Sequence, residues 1–346
     1  MPLPVLEELK ATIVDYHNDG LSLIETSHRS SSYDEVHNAA VSLIRELLSV
    51  PDNFSILLLG GGATLQFGMV PLNLLTEGKS CDFVVSGAWA KKALDDAQKI
   101  GKVNVLFDGK ADGFSNLPDT VTCDPNAAYL HLTSNETIDG LQWPALPDSG
   151  EVPMVIDMSS DIMSRPFPFT NVGIVYAGAQ KNLGPAGVTV VIIRKDLAES
   201  SPSTLPAYLS YAVHEGKNSL YNTPPVFSIY ALKLVLEHVK RQGGIRHAEE
   251  IAKRRASLIY DVIDGSDGYY TCKTAKDKRS RMNIVFNLPS EELEKQFLAE
   301  AANKGMLGLP GHRSVGGCRA SLYNAAPVEW AEELASLMKD FAARNA

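Results

Sequence analysis

With 346 residues the chain is long enough for two domains of ordinary size, at roughly 150 residues each, and its 45% hydrophobic and 21% charged residues exclude a disordered or fibrous chain. The net charge of −9 excludes a chain devoted to nucleic acid, which needs a basic surplus to meet phosphate. No apolar run reaches the ~18 residues of a membrane span, and Met1-Pro2-Leu3-Pro4 lacks the basic and apolar regions of a secretory leader, so a cytoplasmic protein that binds no membrane is expected.

In chain order, Val36, Ala39, Ala40, Leu43, Ile44, Leu47 and Leu48 fall at the i, i+3, i+4 spacing of an amphipathic packing helix. Short β-branched or apolar runs follow at 55–59, 81–85, 103–107, 128–132, 152–156, 172–176 and 188–193, alternating with helical patterns. This alternation predicts an α/β fold with a mostly parallel central sheet. An irregular polar stretch over 200–223 leads to a helix over about 226–239, and Gln242-Gly243-Gly244 marks a boundary. A large domain over 1–240 and a smaller α/β domain over 241–346 are therefore expected, the second holding helices, a strand at 282–286, a loop with His312 and Arg313, and a final helix near 329–342. Cys81, Cys123, Cys272 and Cys318 form no C-x-x-C pair, so they predict reduced thiols and neither a zinc site nor a disulfide framework.

Three segments carry chemistry. Gly60-Gly61-Gly62-Ala63-Thr64 follows an apolar strand and precedes a helical pattern. Glycines let the backbone approach an anion and the helix N-terminus offers free N–H groups, although an ordinary tight turn reads the same way. The run Val155-Ile156-Asp157 delivers a carboxylate at a strand's C-terminal end, where ligands of open α/β sheets gather; alone, Asp157 could equally cap the next helix. Lys181, in Gly178-Ala179-Gln180-Lys181-Asn182-Leu183-Gly184, sits among small residues between two buried strands. Such a lysine is partly desolvated, which favours the neutral, nucleophilic amine, whereas a lysine in isolation is usually a solvated surface charge. Asp157 followed 24 positions later by Lys181 supplies what a pyridoxal 5′-phosphate ring requires: a carboxylate for the pyridine nitrogen and an amine for the carbonyl carbon. Gly62, Ala63 and Thr64 could then hold the phosphate.

With these segments stand His28-Arg29, Gly87-Ala88-Trp89-Ala90, Asn135-Glu136-Thr137-Ile138-Asp139-Gly140, Tyr221-Asn222-Thr223-Pro224-Pro225, Arg279-Ser280-Arg281-Met282-Asn283 and Gly311-His312-Arg313 through to Tyr323-Asn324-Ala325. In this order, over nearly the whole chain, they resemble the motifs of phosphoserine aminotransferases. The resemblance implies fold type I of the pyridoxal-phosphate-dependent transferases and a homodimer with shared active sites. It implies Lys181 as Schiff-base lysine and proton shuttle, Asp157 on the pyridinium, Trp89 stacked on the ring and Thr137 near the phenolic oxygen. Gln180, Ala63 and Thr64 would hold the phosphate, joined by Asn222 and Thr223 from the neighbouring subunit. Arg319 would clamp the α-carboxylate. His28, Arg29, His312 and Arg313 would receive the substrate phosphate or the glutamate side chain, His28 and Arg29 across the dimer.

The implied activity is reversible transfer of an amino group from glutamate to 3-phosphohydroxypyruvate, giving O-phosphoserine and 2-oxoglutarate in serine biosynthesis. Two departures are visible. Family members carry, upstream of the Leu-Pro-x-x-Val-Leu pattern, a strand-like segment that closes over the substrate, whereas this sequence starts at Met1-Pro2-Leu3-Pro4-Val5-Leu6; lowered affinity and turnover are the expectation, and a PLP-binding dimer with little turnover is the non-enzymatic alternative. Ala63-Thr64 stands where some members have an arginine, as in another branch of the family. A cysteine desulfurase is the competing enzyme, but Cys318 adjoins Arg319, and Cys123 and Cys272 lie outside every motif.

Overall fold

The computed structural model describes residues 1–16, 18 and 20–345. It opens with α1 (Leu3–Val14) and α2 (Ser31–Leu48), then alternates through β1 (Phe54–Leu59), α3 (Gly62–Leu74), β2 (Ser80–Val85), α4 (Ala88–Ile100), β3 (Lys102–Asp108), β4 (Leu130–Thr133), the short hairpin β5 (Asn135–Glu136) and β6 (Leu141–Gln142), β7 (Met154–Asp157), β8 (Val172–Gly178) and β9 (Thr189–Arg194). After these come α5 (Lys195–Glu199), α6 (Tyr211–Gly216), α7 (Val226–Arg241), α8 (Gly244–Asp264), β10 (Asn283–Phe286), α9 (Glu291–Asn303), β11 (Cys318–Ser321) and α10 (Val328–Asn345).

The central sheet has the strand order β1-β9-β8-β7-β4-β2-β3. Pairings β2–β3, β2–β4, β4–β7 and β7–β8 are parallel, and β9 runs antiparallel to both β8 and β1, so the sheet is mostly parallel as its apolar runs predict. Those runs are near-continuous because helices cover both faces. Alternate residues feed two cores. Leu57, Phe83, Val155, Ile174 and Val191 join Phe67 and Val70 of α3 and Leu94 of α4 on one side, while Ile56, Leu132, Ile156, Val175 and Ile192 meet Val36 and Ile44 of α2 and Leu232 and Leu236 of α7 on the other.

A third core lies beyond residue 255, where antiparallel β10 and β11 pack with α8, α9 and α10 around Phe286, Phe297 and Phe341. The Phe297 ring meets Phe341 edge-on at 5.3 Å and Phe286 at 6.0 Å. Removing it would cost about 3–5 kcal/mol by the usual large-to-small rule.

The structure adds elements that periodicity does not predict. The polar stretch 200–223 contains α6, held by Tyr211, whose hydroxyl donates to Gln66 Oε1 at 2.6 Å. Helix α2 begins at Ser31 because Ser30 accepts from the Tyr33 N–H, an N-cap ahead of the first apolar repeat. Strands β5 and β6 are two residues each, too short for any period to register.

Candidate active site

Strand β1 is followed by Gly60-Gly61-Gly62, the last of which begins α3. Gly61 has φ +87°, and a Cβ there would lie 2.6 Å from the Leu65 side chain, so the turn into α3 demands glycine on both conformational and steric grounds. The helix begins at Gly62, leaving its first N–H groups without intrahelical partners. Gly62, Ala63 and Thr64 line a cavity of about 130 Å³ together with Trp89, Thr133, Asn135, Thr137, Asp157, Ser159, Ser160, Gln180 and Lys181. A free helix N-terminus therefore opens into the cleft that holds the lysine and the carboxylate.

The parallel register puts Thr133 at the end of β4 beside Asp157 at the end of β7, and Asp157 beside Tyr176 on β8. Asp157 is buried and accepts a hydrogen bond from the Ser159 N–H at 2.8 Å. Burial raises its pKa, opposed by the bonds from Ser159 and by the charge of Lys181. Three residues past β8, Lys181 sends Nζ into the cavity, where it donates to Thr137 Oγ1 at 2.7 Å and lies 5.6 Å from the centre of the Trp89 ring. Desolvation lowers the lysine's pKa; Asp157 and Glu136 work against that shift, and Arg319 works with it. The amine is thus biased toward its neutral, nucleophilic form.

Arg319, on β11, donates through Nη1 to the Thr137 carbonyl at 3.3 Å. Its Nε is buried without a hydrogen-bond partner among the described residues, and Arg319 stands behind Thr137 rather than among the residues that line the cavity. Trp89 stands in the first turn of α4, and its Nε1 likewise has no partner among the described residues. Behind it lies Glu136, fully buried and not assigned a role by sequence reasoning: its carboxylate accepts from the N–H groups of Trp89 and Ala90 and from Ser86 Oγ. Burial pushes its pKa up to about 7 against the pull of those backbone donors.

Several residues singled out in the sequence lie elsewhere. Asn222 and Thr223 are exposed beside a separate cavity of about 290 Å³ that also touches Gly60 and Gly187. His28 and Arg29 occupy the turn before α2, with Arg29 exposed. His312 bonds Ser314 Oγ at 2.7 Å in the loop before β11, next to exposed Arg313. None of these six lines the cavity around Lys181. Conversely, Thr133, Asn135, Ser159 and Ser160 do line it; the serines follow Asp157 after Met158, and Asn135 precedes Thr137 by two residues, proximity that could have flagged them.

The family model for class-V aminotransferases matches residues 1–334. A phosphoserine aminotransferase of Geobacillus kaustophilus is 53% identical, with 100% of this chain and 96% of that protein aligned. The solved phosphoserine aminotransferase of Bacillus circulans subsp. alkalophilus superposes with a TM-score of 0.98 at 49% identity, covering 100% of this chain and 96% of that one. A PLP-bound phosphoserine aminotransferase from Trichomonas vaginalis superposes with a TM-score of 0.91 at 36% identity, covering 98% and 97%.

Proposed function

This chain belongs to the class-V aminotransferases and, within them, to the phosphoserine aminotransferase family, and on that premise we propose that it moves an amino group reversibly from glutamate to 3-phosphohydroxypyruvate, with pyridoxal 5′-phosphate as cofactor. The observation that carries this reading is the convergence, in one cavity, of a desolvated lysine amine, a buried carboxylate, an indole and an open helix N-terminus. Those features match the cofactor's parts: a flat ring, a basic ring nitrogen, a phenolic oxygen and a phosphate.

When bound, the cofactor supplies an electrophilic carbonyl and an electron-withdrawing ring. Asp157 holds a proton at the pyridine nitrogen, and Trp89 covers the ring and excludes water. The N–H groups at the start of α3, with Gln180, bind the phosphate; Thr137 lies beside the lysine and orients it. Lys181 Nζ takes the proton from the substrate α-carbon, a task its lowered pKa supports. Arg319 grips the α-carboxylate through its planar fork.

Serine biosynthesis in the cytoplasm is the proposed setting, and a homodimer with shared sites the proposed assembly. The exposure of Asn222, Thr223 and Arg29 in the single chain supports their serving a neighbour's cavity, with His28, His312 and Arg313 receiving the distal anion of either substrate. The separate core beyond residue 255 supports a large domain over 1–240 and a small one over 241–346.

The test is the visible spectrum of the cofactor-loaded protein. A band that glutamate bleaches and 3-phosphohydroxypyruvate restores, and that Lys181→Ala lacks, is expected. A band indifferent to glutamate overturns the transamination; no band overturns the cofactor assignment.

A further inference from the structure

Helix α4 has no local cap. Its N-cap, Gly87, contributes no side-chain bond, yet the first-turn N–H groups of Trp89 and Ala90 are satisfied at 3.1 and 3.0 Å by the two oxygens of Glu136, and Ser86 Oγ adds a third bond at 3.2 Å. The carboxyl group comes from β5, distant in sequence, and is completely buried. Space has been cleared for it: a Cβ on Gly87 would lie 2.5 Å from the Glu136 carboxyl carbon. Gly87 has φ 177°, extended backbone open to any residue, so the glycine answers to Glu136 rather than to conformation. A serine or aspartate at position 87 would cap the helix more simply. What the remote carboxyl adds is a fixed distance between the first turn of α4 and Thr137, the residue next to Glu136 and the acceptor for Lys181. The Trp89 indole, whose Nε1 bonds nothing among the described residues, is carried by that turn, packs at the edge of the core under α3 and α4, and has Lys92 Nζ 4.2 Å from its ring centre.

We infer that Glu136 is a positioning residue that sets the plane of Trp89 over the cofactor ring relative to Lys181. This rests on the cofactor reading above. Glu136 touches neither cofactor nor substrate; it acts through the indole.

The experiment measures the cofactor's induced circular dichroism and its dissociation constant by equilibrium dialysis, in wild type, Glu136→Ala, Glu136→Gln, Trp89→Ala and the Glu136→Gln/Trp89→Ala double variant. Glu136→Ala is expected to loosen the cofactor about tenfold and shrink the dichroic band, and Glu136→Gln, which keeps one acceptor oxygen but turns its amide NH2 on the other backbone N–H, to recover only part of both, leaving a loss of about threefold. In the Trp89→Ala background Glu136→Gln is expected to change nothing further, because the residue through which it acts is gone. A Glu136→Ala protein that melts earlier but binds and orients the cofactor as wild type does would reduce Glu136 to a helix cap and overturn the inference. If Glu136→Ala does not fold, the Gln series decides alone: equal effects of Glu136→Gln with and without Trp89 overturn it. Wild type that takes up no cofactor overturns the cofactor reading as well, which separates the two failures.

Discussion

Thr137 is bonded on both sides: its hydroxyl accepts from Lys181 Nζ at 2.7 Å, and its carbonyl accepts from Arg319 Nη1 at 3.3 Å. One residue of the turn between β5 and β6 therefore indexes the lysine to the arginine of the β10–β11 pair. Thr137→Val keeps the shape and removes the hydroxyl, leaving a buried amine without its partner. A loss of about 1–2 kcal/mol in transition-state stabilisation is expected, roughly five- to thirtyfold in kcat/KM. Single-turnover kinetics would read it, with substrate affinity little changed because Arg319 bonds the backbone carbonyl that valine retains.

Arg319 tests the substrate side. Arg319→Ala leaves a carboxylate in the cavity without its fork and should cost about 2 kcal/mol or more, a rise of about thirtyfold in the KM for glutamate. Arg319→Lys keeps charge and loses the bidentate geometry, so it should recover only part of that loss. Steady-state rates against glutamate concentration decide. An unchanged KM in Arg319→Ala would remove this residue from the carboxylate site.

How much of this was legible in the sequence depended on distance along the chain. Asp157 at the end of β7 and Lys181 just past β8 could be read because buried parallel strands are continuous apolar runs and the polar residue that breaks each run stands out. The Gly60–Gly62 turn was legible for the same reason. Glu136 was not, since its partners in α4 lie 46 and 47 residues away and nothing local marks a glutamate in a two-residue strand as buried. Strand β11 alternates buried and half-buried positions, but Cys318-Arg319-Ala320-Ser321 lacks the β-branched residues by which strands are recognised. Helix α6 is a single short turn whose anchor, Tyr211, acquires meaning only beside Gln66.

The glycine turn yields a paired prediction. At Gly61, φ is +87° and a Cβ would lie 2.6 Å from the Cβ of Leu65, whereas at Gly62, with φ +67°, an added Cβ would meet no atom within 4 Å among the described residues beyond its chain neighbours and the adjoining helix backbone. Gly62→Ala should therefore cost only the left-handed backbone strain of about 1–2 kcal/mol. Gly61→Ala should cost more than that and shift the start of α3, weakening phosphate binding as well as stability. Urea titration of both variants, with cofactor affinity measured alongside, checks the order; equal losses would mean that Leu65 moves freely and the steric argument fails.

His131 makes the acid limb of the stability curve testable. Its ring is buried, stacked on Phe83 at 4.6 Å and bonded through Nε2 to the Tyr176 hydroxyl at 2.8 Å, and burial pushes its pKa down from 6.5 to about 3. Between those values the unfolded chain binds the proton and the folded one does not, so stability rises with pH through this window and is lost as pH falls below 6.5. From this group alone the loss at pH 5 is about 2 kcal/mol. Glu136 acts in the opposite sense: its pKa is raised from 4.5 to about 7, so its contribution declines as pH climbs through that interval. The wild-type curve mixes the two, and a variant is needed to separate them. His131→Gln removes the titrating ring and keeps a polar partner for Tyr176. It should be less stable than wild type at pH 7.5, through lost stacking, but the gap should narrow by about 2 kcal/mol at pH 5 because the glutamine takes up no proton on unfolding. Denaturant melts at the two pH values measure the gap directly, and a gap that stays constant would show that His131 takes up its proton as readily in the folded protein as in the unfolded chain.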